Sequence, residues 1–198
     1  MTGVDQSRAD GQADSTGTDQ GNRSHVGSLS DAKRRLITRS TMSKTTPATL
    51  FLTRAGIAFD LHPYDYDPEA PRVGLQAAEA LGVDPDQTFK TLMAEADGKP
   101  VCVVVPSPQE VSMKKLAAHF GAKTAHMMRV PDAERLTGFK VGGISPFGQR
   151  KRVATAIDET AQVFDVVYIN AGQRGLLLSL APDDAARVLG AGFVDLMA

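Results

Sequence analysis

Large apolar residues are almost absent from the first thirty positions, where Ser, Thr, Gly, Asp and Gln dominate. Such a stretch cannot bury enough surface to offset the entropy of ordering. Residues 1–44 are therefore expected to be a disordered tail, closed by the basic run Lys33, Arg34, Arg35, Arg39 and Lys44. Met42 stands just ahead of the change in pattern and is a candidate start. From Thr46 the pattern becomes globular. Thr46 or Thr45 caps a helix with Pro47 in its first turn, and Leu50, Phe51 and Arg54 carry it to Gly56. Ile57, Phe59 and Leu61 alternate as a strand that ends at His62-Pro63-Tyr64. Pro68 and Pro71 mark a loop, and Leu75 to Leu81 predicts a short helix stopped by Gly82. The runs Phe89–Met93 and Val101–Val105 flank Asp97-Gly98, a hairpin signal. Ser112 caps a helix through Phe120, and Pro131-Asp132 begins another that ends at Thr137-Gly138. Val153–Ile157, Val163–Ile169 and Leu176–Leu180 read as strands, and a last helix runs from Pro182 to Leu189.

Strands and helices mix without a regular βα alternation. That favours an α+β fold with a mixed sheet, in a single domain over residues 45–198, rather than a doubly wound one. The chain of 198 residues is 42% hydrophobic and 23% charged, ordinary for a soluble globular protein, and no apolar stretch approaches a membrane span. The tail holds no apolar run of the kind a signal peptide needs, and the single cysteine, Cys102, excludes an internal disulfide and fits a reducing cytoplasm. Net charge is −1, and the tail takes seven of the 22 basic but only five of the 23 acidic residues. The folded part is mildly acidic, so any nucleic-acid contact must come from a local patch.

One such patch surrounds Gly138–Arg152, where four glycines and a proline argue for a loop with special dihedrals and close backbone approach. No acidic residue lies between Glu134 and Asp158, while Arg135, Lys140, Arg150, Lys151 and Arg152 fall within or beside the loop. Backbone N–H groups and cations together suit an anionic ligand. A tight turn with a solvated basic edge explains the same residues equally well.

Familiar catalytic devices are excluded. Gly143-Ile144-Ser145 begins like a nucleophile elbow, but the next residue is Pro146, which has no N–H to serve as an oxyanion donor. His25, His62, His119 and His126 lack metal-ligand spacing, and neither a Walker lysine motif nor a dinucleotide fingerprint occurs. No metal and no cofactor are expected. Lys90 remains, inside an apolar strand where a lysine is costly unless it faces water or a ligand.

Tyr64 after the first strand, Phe89-Lys90-Thr91-Leu92, and Gly142-Gly143-Ile144-Ser145-Pro146 occur in an order and spacing that resemble the YbaK family of free-standing Cys-tRNA(Pro) deacylases. That family is similar to the editing domain inserted in bacterial prolyl-tRNA synthetases. The resemblance runs from about Thr46 to the C-terminus and includes the Gly172-Gln173-Arg174-Gly175-Leu176 turn. It implies a barrel-like mixed sheet surrounded by helices. It implies that cysteine is cleared from mischarged tRNA(Pro) in trans, in the cytoplasm, with prolyl-tRNA synthetase in a ternary complex supplying tRNA selectivity. Lys90 would be the key lysine, anchoring the terminal phosphate or ribose. Gly142 would supply backbone contacts to the ester carbonyl. Tyr64, Phe89, Thr91, Gly143, Ile144, Ser145, Pro146 and Asn170 would line the substrate site, and Lys140, Arg150, Lys151 and Arg152 would face the tRNA. In this family the substrate thiol is thought to attack the ester and leave as a cyclic thiolactone. Two positions depart: Asn170 stands where some members carry serine, and Leu177 where some carry an acid. A deacylase for another small amino acid such as alanine, or a non-catalytic aminoacyl-tRNA-binding module, are the alternatives.

Overall fold

A computed structural model describes residues 45–69 and 75–198. The tail expected over 1–44, with its basic run and Met42, lies outside the described residues. So does Pro71 in the loop after the first strand.

The chain enters its fold through a reciprocal cap. Thr46 Oγ1 accepts the Thr49 N–H at 3.1 Å, and Thr49 Oγ1 accepts the Thr46 N–H at 2.9 Å. Pro47 occupies the first turn, where a missing N–H costs nothing, so helix α1 runs Pro47–Arg54. The Thr46 hydroxyl also donates to Ala171 O at 2.6 Å, which ties the start of α1 to the sheet.

Eight strands follow: β1 (Asp60–Pro63), β2 (Thr88–Ala96), β3 (Lys99–Pro106), β4 (Ala125–Met127), β5 (Ala154–Asp158), β6 (Val167–Gln173), β7 (Leu176–Leu180) and β8 (Gly192–Val194). Helices α2 (Gln76–Leu81), α3 (Met113–His119), α4 (Val130–Thr137) and α5 (Pro182–Leu189) complete the set. The strands make one mixed sheet in the order β1-β7-β6-β2-β3-β5-β8, with β4 also paired to β2. The β2–β3 hairpin is antiparallel, whereas β2–β6, β3–β5 and β5–β8 are parallel. The α+β architecture with a mixed sheet is the one the irregular element pattern predicts.

Alternation along β2 sorts side chains onto two faces. Phe89 and Met93, with Cys102 and Val104 of β3, join the larger core cluster, to which α1 gives Leu52, α4 gives Ala133 and α5 gives Leu189. Ala94 and Ala96, with Val101, Val103 and Val105, meet Leu116 of α3 and Leu196 on the opposite face. Lys90 pairs with Val105 and therefore lies on this second face.

One topological detail positions the site. A single edge of β2 is shared by two strands: β6 pairs only with Thr88 and Phe89, and β4 only with Ala94–Ala96. Among the described residues no strand covers that edge between Lys90 and Met93. The glycine-rich loop after α4 sends Phe139, Ile144 and Phe147 into the larger core. Gly148 lets the loop pass under α1, since a Cβ there, at φ +66°, would come within 3.0 Å of Ala48 N.

Two strands start several residues later than in the sequence reading. The first strand begins at Asp60 rather than Ile57, because Ile57 is drawn into the core beside α1, its N–H bonded to Leu52 O. The strand read from Val163 begins at Val167. Asp158 accepts the Thr160 N–H and starts a 3-10 turn over Glu159–Val163, which leaves Val163 76% exposed.

Candidate active site

Lys90, Thr88, Asn170, Leu177, Tyr168, Ser179 and His62 share one face of the sheet, as the register Thr88↔Tyr168, Asn170↔Leu177, Tyr168↔Ser179 and His62↔Leu177 requires. At the uncovered edge of β2 this face opens into a cavity of about 120 Å³. Its walls are Tyr64, Tyr66, Ala77, Thr88, Phe89, Lys90, Thr91, Ser107, Gly142, Ile144, Asn170 and Leu177. A smaller cavity of about 60 Å³ beside α1 is lined by Phe51, Gln149, Arg152 and Leu189, and holds none of the residues singled out for chemistry except Pro146 and Arg152.

Lys90 is half-buried, and its ammonium donates to Ser107 O at 3.1 Å and to Gln109 O at 2.6 Å. Two carbonyls thus hold the charge, and its third N–H has no partner among the described residues. Burial lowers its pKa below the ordinary lysine value, and the carboxylate of Glu110 opposes that shift. Burial likewise raises the Tyr64 phenol. The Thr91 hydroxyl is buried without a hydrogen-bond partner among the described residues, a loss of about 1–3 kcal/mol for such a group.

The turn at Gly142 also lines the cavity. Its φ of +85° suits glycine, and a Cβ there would lie 3.0 Å from the Tyr66 hydroxyl and 3.3 Å from Arg174 Nε. Three side chains fix the turn. Glu134 accepts the Val141 N–H at 3.1 Å, Arg174 Nε donates to Val141 O at 2.9 Å, and Asn170 Nδ2 donates to Gly142 O at 3.2 Å. Asn170 Oδ1 accepts the N–H groups of Gly172 and Gln173 at 2.8 and 3.2 Å, which shapes the bulge that ends β6. The amide of Asn170 is thus engaged by protein while its side chain lines the cavity. Glu134, paired to Lys140 at 2.7 Å, is held below the usual carboxylate range by that bond and by the Val141 N–H.

Tyr64, Phe89, Lys90, Thr91, Gly142, Ile144 and Asn170 therefore come together. Gly143, Ser145 and Pro146 do not line the cavity. Gly143 presses on the backbone of Gln173 and Arg174, where a Cβ would come within 2.8 Å. Ser145 is fully buried and its hydroxyl accepts the Phe147 N–H at 3.3 Å. Among the basic residues, Lys140 is spent on Glu134, and Arg152 donates to Val188 O and Leu189 O at the end of α5. Arg150 donates to Arg135 O at 3.3 Å and stays largely exposed, as does Lys151. Tyr66, Ser107, Glu134 and Arg174 were not singled out by the sequence reading. Only the Gln173-Arg174-Gly175 turn carried a signal for any of them.

Cys102 is fully buried and its thiol is pushed up to about 12 by desolvation, although Gln149 and Thr155 oppose the shift. It cannot supply a thiolate at neutral pH. Among the described residues no histidine or cysteine lines the cavity. Among the described residues no group of three His, Cys, Asp or Glu side chains could hold a metal, and no helix is long and apolar enough to cross a membrane.

Comparison with known proteins identifies the family and the fold. Over 107 residues the chain is 39% identical to the "Putative Cys-tRNA(Pro)/Cys-tRNA(Cys) deacylase EbsC" of Enterococcus faecalis, covering 54% of this chain and 65% of that protein. It is 32% identical over 91 residues to the proline–tRNA ligase of Streptomyces coelicolor, covering 46% of this chain but only 16% of the ligase. The match thus spans under two thirds of the first relative and a small part of the second. A solved structure described as a "putative trans-editing enzyme for prolyl tRNA synthetase" superposes with a TM-score of 0.69 at 21% identity, over 79% of this chain and 99% of that one. At that identity the likeness concerns the fold. The sequence model of the aminoacyl-tRNA editing domain matches residues 68–188, more than half of the chain, and the chain belongs to that family.

Proposed function

We propose that this chain is a trans-acting deacylase that clears cysteine from mischarged tRNA(Pro). The observation that carries the reading is Lys90: a half-buried ammonium, held by two backbone carbonyls, on the wall of a small cavity that the Gly142 turn also lines. The cavity is below the roughly 300–1,000 Å³ of pockets for drug-sized ligands. It suits one small amino-acid side chain. The third N–H of Lys90 would fix the ester or its ribose, and the turn at Gly142 would face the carbonyl where charge develops. The side chains of Glu134, Arg174 and Asn170 preorganise that turn. Phe89, Ile144, Ala77 and Leu177 give the cavity an apolar lining, in keeping with a side chain that proline's own synthetase cannot reject by shape.

That lining also supports a second reading, in which the preferred residue is alanine, because Leu177 offers no polar partner to a thiol. Turnover of Cys-, Ala- and Ser-tRNA(Pro) decides between them. We expect Cys-tRNA(Pro) to be cleaved at least tenfold faster than the other two. Faster loss of alanine would establish the second reading, and binding without turnover would establish a non-catalytic module.

The tRNA is expected to lie across the exposed cations near α4, with prolyl-tRNA synthetase completing its recognition in the cytoplasm. Arg150 and Lys151 are exposed and carry no ion pair among the described residues, whereas Lys140 and Arg152 are engaged. Each phosphate contact changes the slope of log K against log salt by roughly 0.7 to 0.9. Replacing Arg150 and Lys151 together with alanine should reduce the slope by about 1.4 to 1.8. Replacing Lys140 and Arg152 should change it less. An unchanged slope in the first variant would make Arg150 and Lys151 a solvated edge only.

A further inference from the structure

Arg174 stands in the turn between β6 and β7, at the rim of the cavity, and its side chain is fixed from two sides. Its Nε donates to Val141 O at 2.9 Å, and its guanidinium carbon lies 5.6 Å from the centroid of the Tyr66 ring. Both contacts are made beside the cavity, since Tyr66 lines it and Val141 precedes the lining residue Gly142. The side chain is held but not neutralised. Among the described residues its two terminal amino groups have no hydrogen-bond partner and the guanidinium forms no ion pair within 4.0 Å, though Glu134 lies near enough to feel its charge. Other cations of this region are spent differently: Arg129 and Arg135 both bridge to Asp132, and Lys140 to Glu134.

A guanidinium with one edge pinned and the other facing solvent presents a planar fork of donors, the geometry that matches a phosphate in two parallel hydrogen bonds. Cation–π contact with Tyr66 orients the fork without consuming a donor. The cavity itself, about 120 Å³, is well below the roughly 300–1,000 Å³ of pockets for drug-sized ligands and suits an aminoacyl side chain. A substrate whose aminoacyl group enters it must lay its sugar and 5′-phosphate over the rim. Lys90 lines the cavity, whereas Arg174 lies outside it against the Gly142 turn, so the two cations can divide the task between the ester and the phosphate.

We propose that Arg174 is the anchor for the 5′-phosphate of the terminal nucleotide, a role that rests on the deacylase reading for the identity of the ligand but not for its chemistry. The test measures binding rather than turnover. Adenosine 5′-monophosphate and adenosine are titrated into the full chain, into Arg174→Gln and into Arg174→Lys. The wild-type protein is expected to prefer the monophosphate by about tenfold in Kd, Arg174→Gln to bring the ratio of the two affinities close to one, and Arg174→Lys to keep part of it by retaining charge without the fork. A ratio near one in the wild type, or the same ratio in Arg174→Gln, overturns the proposal. Turnover of Cys-tRNA(Pro), followed separately, locates any failure of the deacylase reading, because phosphate preference does not depend on it. A purely structural role for Arg174, acting through Val141, would weaken both probes equally and leave the ratio unchanged, which also overturns it.

Discussion

Replacing Lys90 with alanine is expected to lower kcat/KM for deacylation by at least about a hundredfold, the scale on which one preorganised electrostatic contact acts, while leaving the melting temperature within a few degrees of wild type. The two halves of this expectation have the same physical source. An ammonium withdrawn from water toward a cavity is costly, and the lowered pKa of Lys90 records that cost. The unfolded chain restores the ordinary lysine pKa, so between the lowered folded value and the unfolded one the unfolded state binds more protons. Stability contributed by this group therefore rises with pH across that window, and below it the buried charge works against folding. Its two bonds to Ser107 O and Gln109 O offset part of the cost. Removing the group loses those bonds and relieves the charge, and the two changes oppose each other. Activity depends on the charged form, so kcat/KM, corrected for spontaneous ester hydrolysis, should fall on the alkaline side as pH rises through the lowered pKa. An alanine variant with wild-type turnover would remove Lys90 from the site. One that melts many degrees lower would make it a structural lysine.

The local parts of this architecture were legible because each is fixed by a few neighbouring residues. The Thr46-Pro47 start of α1, the Ser112 cap of α3, the stop at Gly138 after α4 and the Asp97-Gly98 hairpin are decided within four or five positions. Val163 misled because an apolar β-branched residue ahead of a strand looks like its first position. Its capping carboxylate, Asp158, lies five residues away and turns the chain first. Strands β4 and β8 are three residues each and show no alternation, so only their partners in β2 and β5 define them. The parallel pairings are long-range and leave no mark on any single stretch.

The site divides along the same line. Lys90 and Gly142 announced themselves, one as a charge in an apolar run and the other in a glycine cluster. The clamp that fixes the Gly142 turn did not. Glu134, Asn170 and Arg174 meet at Val141 and Gly142 from α4, β6 and the β6–β7 turn, with up to 33 positions between bonded partners. Nothing short of the fold brings them together. Ser145 shows the converse: its motif placed it in the site, yet it is fully buried beneath the loop, bonded to the Phe147 N–H. Its part is to shape the turn, while Ile144 beside it reaches the cavity.

tRNA charged with S-methylcysteine is expected to resist cleavage by at least about a hundredfold relative to Cys-tRNA(Pro), because the proposed nucleophile is the substrate's own thiol. In that step sulfur bonds to the carbonyl carbon, its proton leaves, and the ribose oxygen departs with the electrons of the ester bond and is protonated. Water later opens the released thiolactone to cysteine. The ring has four atoms: sulfur, Cβ, Cα and the carbonyl carbon. Its closure is strained, so the protein must hold the thiol against the carbonyl and stabilise the oxyanion; well-oriented intramolecular attack can reach effective molarities of about 10⁵ M or more. Phe89, Ile144 and Leu177 would restrict the side chain, and Lys90 and the Gly142 turn would hold the ester. The protein's own candidates are poorly placed to compete. Cys102 is fully buried with its thiol pushed up to about 12, and the Ser145 hydroxyl is sealed in the core. Cys102→Ser, which keeps a polar partner for the Gln149 amide, and Ser145→Ala should each retain most of the wild-type rate. Methylation removes the nucleophile while adding only one carbon, so two measurements separate steric exclusion from chemistry: binding of S-methylcysteinyl-tRNA, expected within about tenfold of Cys-tRNA(Pro), and its turnover, expected to be nearly absent. Rapid turnover of the methylated substrate would mean that water or a protein group attacks the ester, and Lys90 would then act by orienting that attack instead.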